Sequence, residues 1–180
     1  MDHIGAIYLD EAFRSLRGIK RLADTAMAQL SDEQFFATPD AESNSVAIIV
    51  KHMTGNMRSR FTDFLTTDSE KPDRNRDQEF IVAASASRAE ILAAWEEYWQ
   101  LVLDTIKSLS PEDLTRQVTI RGEPHSVLQA INRQVVHYSH HVGQIVFLAK
   151  HWKGAEWKTL SIPRGQSYAV NAAMAKKYKS

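Results

Sequence analysis

Two histidines within a predicted long helix, His137 and His141, are spaced as ligands for one divalent metal ion. At about 100° per residue, side chains four positions apart lie roughly 40° apart on one helix face, with Cβ atoms about 5–6 Å from each other. Neutral imidazole nitrogen is a preferred ligand of zinc and of several other transition metals. Two ligands hold a metal weakly, so the prediction requires a third ligand from another helix.

His52 meets this requirement, because it lies beside the apolar stripe of another predicted helix. It is rotated roughly 100–120° from the centre of that stripe, a flank comparable to the one that His137 and His141 occupy on theirs. Three neutral nitrogen ligands leave one coordination position open, which is typical of catalytic zinc sites and not of structural ones. The residues therefore predict a three-histidine site at which a metal would act as a Lewis acid on a water or a substrate in the open position.

Further residues near these histidines are candidates for supporting the metal or binding a substrate. Asn56 and Tyr138 can orient a metal-bound water, with ordinary helix packing as the competing interpretation. Gln144 continues the stripe of His137, and His140 lies roughly 60° from His137. Tyr138 also occupies the position that glutamate takes in the His-Glu-x-x-His protease motif, so that motif is rejected.

Arginines offer contacts for an anionic substrate or for the carboxylate of a cosubstrate. Unconnected surface charge is the competing interpretation for these side chains. The candidates are Arg58, Arg60, Arg74, Arg76 and Arg164.

Four long amphipathic helices must position these side chains. Apolar residues that recur every three or four positions predict helices over about residues 4–30, 46–65, 88–109 and 124–152. Residues 66–79 form a polar connection without periodicity, residues 117–123 a short hairpin, and residues 153–180 an irregular tail with a short helix near its end. We expect an all-α fold, a four-helix bundle with a minor hairpin, that forms a single domain over residues 1–180.

The composition of the chain argues against several classes of protein. Lysine plus arginine and aspartate plus glutamate both number 22, and zero formal net charge argues against a nucleic-acid partner. The absence of cysteine excludes disulfides, thiolate ligands and a cysteine nucleophile. No apolar run approaches the roughly 20 residues of a membrane span, and the first residues lack the basic and apolar regions of a signal peptide. We expect a cytoplasmic protein that acts on a small molecule, with no nucleic-acid or membrane partner.

The helix order, the histidine of the second helix and the run His137-Tyr-Ser-His-His-Val-Gly-Gln144 resemble the DinB/YfiT-like superfamily. The runs at residues 56–68 and 157–166 are similar to a bacterial branch described mainly as a domain of unknown function. The resemblance covers about residues 4–152 and implies an up-down-down-up four-helix bundle, with His52, His137 and His141 as ligands of nickel, zinc or a similar ion. Related members include metal-dependent hydrolases and thiol transferases that use bacillithiol or mycothiol. The resemblance therefore implies a hydrolase, or an S-transferase with a low-molecular-weight thiol as cosubstrate.

Two alternatives remain open at this point. One is a non-catalytic, stress-associated metal-binding module that pairs through an apolar helix face. The other is a metal-free scaffold whose histidines make ordinary hydrogen bonds. A homodimer is expected for the enzyme and for the metal-binding module, and nickel or zinc is the expected metal, although availability also decides which ion a three-imidazole site holds.

Overall fold

Helices make up most of residues 2–178, the part of the chain that this computed structural model describes. The α-helices are α1 (Asp2–Met27), α2 (Asp32–Phe36), α3 (Val46–Phe61), α4 (Arg88–Ser108), α5 (Val127–Lys153) and α6 (Ser167–Lys177). Short 3-10 turns occupy Asp77–Phe80, Pro111–Thr115 and Gly154–Glu156. The prediction of a mostly helical chain with one small hairpin is confirmed.

The hairpin lies immediately before α5 and corrects the predicted start of that helix. Strands β1 (Gln117–Ile120) and β2 (Glu123–Ser126) pair antiparallel, with Ile120 opposite Glu123. Arg121 and Gly122 have φ values of 57° and 76°, as a two-residue hairpin turn with positive φ at both central positions requires. Residues 124–126, predicted as helix, are therefore extended.

Serine side chains cap the N-termini of the two helices that carry the candidate ligands. The Ser45 hydroxyl accepts a hydrogen bond from the Ile48 amide at the start of α3. Ser126 and Gln129 form a reciprocal capping box at the start of α5, which satisfies amides that have no partner within the helix. Helix α3 ends at Phe61, four residues before the predicted end, and Asp63 just beyond it has a φ of 48°.

The four longest helices bury a common apolar core. Helix α1 packs on α4 and α5, and α3 packs on the same two helices. Aromatic rings fill the centre, where Trp99 makes edge-on contacts with Trp95 and Tyr138 at centroid distances of 5.5 Å. His52, His137 and His141 lie where α3 faces α5, at the border of this core.

The connection between α3 and α4 is polar in sequence but packs closely on the rest of the chain. The Ser69 amide donates to the Thr119 carbonyl of β1 at 2.9 Å. The Asp68 carboxylate accepts from the amides of Glu70, Arg121 and Gly122 at 2.7–3.0 Å. These hydrogen bonds, led by the one from Glu70, lower the pKa of Asp68 to about 2. The connection is thereby anchored to the hairpin.

Within residues 2–178, no helix combines the length and the apolar character that crossing a bilayer requires.

Candidate metal centre

His52, His137 and His141 come together between α3 and α5. Each offers one ring nitrogen, and these three atoms lie within 4.8 Å of one another. The ring centroids are 4.5–5.6 Å apart. Nitrogens that bind one tetrahedral ion at about 2.0–2.1 Å lie about 3.3–3.4 Å apart, so rotations of the side chains would be needed to bring all three to a common ion. The three predicted ligands therefore form a group that could hold a metal.

The protonation of His137 and His141 suits a metal ion. Burial is the largest cause, and together with the neighbouring His141, His52 and two arginines it lowers the pKa of His137 to about 3. Burial also lowers the pKa of His141. Both rings are thus neutral at physiological pH, as metal ligands must be. Nε2 of His137 is buried without a hydrogen-bond partner within the described residues, and a metal ion would satisfy it.

Glu79 fixes the orientation of His52. Its Oε2 lies 2.8 Å from Nδ1 of His52, and since an ionised carboxylate only accepts hydrogen bonds, the proton belongs to Nδ1 and Nε2 remains free for a metal. Arg74 donates to both oxygens of Glu79, at 2.8 and 3.0 Å. Burial raises the pKa of Glu79, but the hydrogen bonds from His52 and Arg74 outweigh this effect and hold the pKa below its ordinary value.

The missing side chain of Gly55 leaves space on the surface of α3 for Glu79. A Cβ at Gly55 would lie 2.2 Å from Oε1 of Glu79, so any side chain at position 55 displaces this carboxylate. Lys51 donates to the Gln78 carbonyl at 2.7 Å, and the Phe80 ring stacks on His52 at 5.0 Å. Sequence reasoning missed Glu79, and the glycine within an otherwise regular helix was the available signal for a close approach.

Four further predicted candidates contact either a candidate ligand or each other. Gln144 accepts a hydrogen bond from Nδ1 of His141 at 2.8 Å and approaches Nε2 of His140 at 3.4 Å. Tyr138 is fully buried, and its hydroxyl donates to Oδ1 of Asn56 at 3.2 Å. Burial raises the pKa of Tyr138, which keeps this hydroxyl protonated. Gln144 thus orients one candidate ligand, while the Tyr138–Asn56 bond ties α3 to α5 beside the site.

A cavity of about 470 Å³ opens beside His52 and His137. Three of the five predicted arginines line it, namely Arg60, Arg74 and Arg76, together with Asn56 and His140. Arg58 instead pairs with Asp73, and Arg164 is exposed in the segment before α6. Two further lining arginines, Arg121 and Arg133, were missed, although Arg133 lies four positions before His137 and so shares its stripe.

The chain belongs to the family described as "Protein of unknown function (DUF1572)", whose model matches residues 3–166. That range includes the three histidines, Glu79 and the five arginines of the cavity. Comparison with curated proteins and with solved structures finds no match.

Proposed function

We propose that the protein is a divalent-metal-dependent enzyme of the DinB/YfiT-like type, either a hydrolase or a thiol S-transferase, that acts on a small molecule. The observation that carries this proposal is the convergence of three ring nitrogens within 4.8 Å. Nickel or zinc is the expected ion, and when bound it supplies Lewis-acid activation of a water or a thiol. The proposal includes an up-down-down-up four-helix bundle formed by α1, α3, α4 and α5, a homodimer and a cytoplasmic location.

The protein's own residues supply orientation and access. Glu79 and Gln144 each accept a hydrogen bond from Nδ1 of a candidate ligand, and such partners fix the tautomer and direction of a metal-binding imidazole. Three protein ligands leave one coordination position open. A cavity of about 470 Å³ falls within the range of small-molecule sites, about 300–1,000 Å³. These features support an enzyme over a closed structural site.

Metal content tests the ligand set. Wild-type protein purified without a metal-binding tag should contain about one equivalent of nickel or zinc, and His52→Ala and His137→Ala should contain almost none. His151→Ala is the matched control, because His151 is exposed on the same helix as His137 and should leave the metal in place. Wild-type protein that binds no divalent ion even after reloading would overturn the proposal.

A screen of the metal-loaded protein separates the two reactions. Turnover that requires an added low-molecular-weight thiol identifies the S-transferase, and turnover in water alone identifies the hydrolase. In either case His137→Ala should abolish the activity. Stoichiometric metal binding with neither activity would favour the non-catalytic metal-binding dimer.

A further inference from the structure

The two helices that carry the candidate ligands also carry arginines at the same helical spacing. Side chains four positions apart follow one another on a helix face, so each histidine belongs to a stripe that ends in a guanidinium. The two stripes are His52–Asn56–Arg60 on α3 and His141–His137–Arg133 on α5. All of these residues except His141 line the same cavity. At 1.5 Å per residue, Arg133 lies about 6 Å from His137 along the helix axis, and Arg60 about 12 Å from His52.

The arginine end of this cavity carries a cationic excess. Arg74, Arg76 and Arg121 join Arg60 and Arg133 in the lining, which contains no carboxylate among the residues that the structure describes. Behind the lining, a single carboxylate, that of Glu70, pairs with Arg60, Arg74 and Arg121. A second carboxylate, that of Glu79, also pairs with Arg74. Two carboxylates therefore face five guanidiniums, all of which stay charged at physiological pH.

Two of the arginines are not engaged by these carboxylates. Arg133 is exposed and forms no ion pair within residues 3–178. Arg76 is also exposed, and its guanidinium lies 4.9 Å from the centre of the Phe80 ring. Guanidinium groups bind carboxylates and phosphates through paired hydrogen bonds. Arg76 and Arg133 are thus free to contact a bound anion.

Buried polar groups in the lining also lack partners. Arg60 is only 5% exposed, and its Nε is buried without a hydrogen-bond acceptor in the described part of the chain. Gln134 is 4% exposed, and its Oε1 is likewise without a partner there. The amide of Gln134 can present either its oxygen or its NH2 group after rotation. Buried polar groups usually have a hydrogen-bond partner, which a bound ligand or an ordered water would supply here.

We propose that the arginine end of this cavity binds the carboxylate or phosphate group of a small-molecule substrate whose reacting group lies at the three histidines. This inference rests on the proposed function and names its substrate class. An oxyanion provides acceptors for the guanidiniums and for Nε of Arg60. The helical spacing separates the anionic group from the reacting group by roughly 6–12 Å, which corresponds to a small metabolite.

The test is calorimetric titration of inorganic phosphate, and separately of glutarate, into wild-type protein from which metal has been removed by chelation. Removing the metal excludes direct binding of the anion to the ion. Arg76→Gln/Arg133→Gln should weaken binding at least about tenfold, because it removes two guanidiniums that donate charge-assisted hydrogen bonds to the anion. Arg164→Gln, which removes an exposed arginine outside the cavity, should bind as the wild type does. Melting curves establish that each variant is folded.

The outcomes are distinct. Phosphate binding that the double variant loses supports a phosphorylated substrate, and glutarate binding that it loses supports a carboxylate. Binding of neither anion to the wild type, or equal binding to wild type and double variant, overturns the inference. Metal content is measured in a separate experiment. A protein that binds no metal would overturn the proposed function, whereas the anion titration tests the arginine end of the cavity independently.

Discussion

The two helices hold their candidate ligands in different ways. On α5, His137 and His141 are one turn apart and the supporting Gln144 is three residues from His141, exposed and on the same helix. On α3, His52 is supported by Glu79, which is 27 positions away, buried, and itself held by Arg74. The α5 half of the site, with His137 and His141, is thus built by local helix geometry. The α3 half, with His52, depends on a connection that must fold onto α3.

This difference separates two requirements of a metal site. A helix supplies the spacing of two ligands at almost no cost beyond helix formation. A single ligand from a second helix needs a partner that fixes its tautomer and direction, and burying that partner's charge requires a counter-ion. We therefore expect the α3 half to be more sensitive to substitution than the α5 half.

Removal of Arg74 should have the largest effect. Arg74→Met leaves the Glu79 carboxylate buried without its counter-ion, and we expect the free energy of unfolding to fall by about 3–5 kcal/mol, measured by urea denaturation. Arg58→Met is the control, because Arg58 and Asp73 form an exposed ion pair whose loss should cost less than about 1 kcal/mol. Equal effects of the two substitutions would contradict the assigned role of Arg74.

Replacement of Glu79 addresses metal affinity directly. Glu79→Gln keeps the shape of the side chain but removes the charge that the Nδ1 proton of His52 faces. Loss of such a partner typically weakens metal binding about 10–100-fold, which competition with a chromophoric chelator would measure. Unchanged affinity in a folded variant would show that the α3 half needs no such support.

The anchor of the connection should show a pH-dependent effect. The pKa of Asp68 is lowered in the folded protein to about 2, so its stabilisation is fully present above the unfolded pKa of about 3.9 and is lost as the pH falls through the folded value. Asp68→Asn should reduce stability by about 1 kcal/mol at pH 7, and the difference from wild type should vanish toward pH 2. Chemical denaturation across this range would measure it.

Asp77→Asn is the control for this experiment, since Asp77 is exposed on the same connection. A difference between Asp68→Asn and wild type that persists undiminished near pH 2 would rule out the carboxylate hydrogen bonds as its cause.

The smallest effect is expected at Gln144. Gln144→Ala removes an exposed hydrogen-bond acceptor from His141, and water can take its place, so metal affinity should fall less than about tenfold. The same chelator competition gives the value. A larger loss of metal affinity in Gln144→Ala than in Glu79→Gln would show that the α5 half depends more on its supporting residue than the α3 half does.

The part of the site that local geometry builds was predictable from the sequence. The spacing of His137 and His141 and the flank position of His52 are helical properties, and the structure brings these three residues together. Glu79 and its pairing with Arg74 were not predictable in the same way, because both residues lie in a connection without periodicity and Glu79 reaches His52 only through tertiary packing. The role of Gln144 also emerged only from its contact with His141.

The fold shows the same division. The helix that begins at residue 88 and the hairpin near residues 117–123 follow from local sequence, and the structure contains both. The predicted start of α5, near residue 124, is too early. Pairing with β1 keeps residues 124–126 extended, and the capping box of Ser126 and Gln129 marks the true start.

X-ray absorption spectroscopy of the zinc-loaded protein tests the central claim most directly, because it counts imidazole ligands. We expect three imidazole nitrogens and one further light atom at about 2.0–2.1 Å in the wild type, and one imidazole fewer in any His52→Ala protein that retains zinc. A wild-type spectrum with fewer than three imidazoles, or an unchanged imidazole count in His52→Ala, would contradict a metal centre shared between α3 and α5.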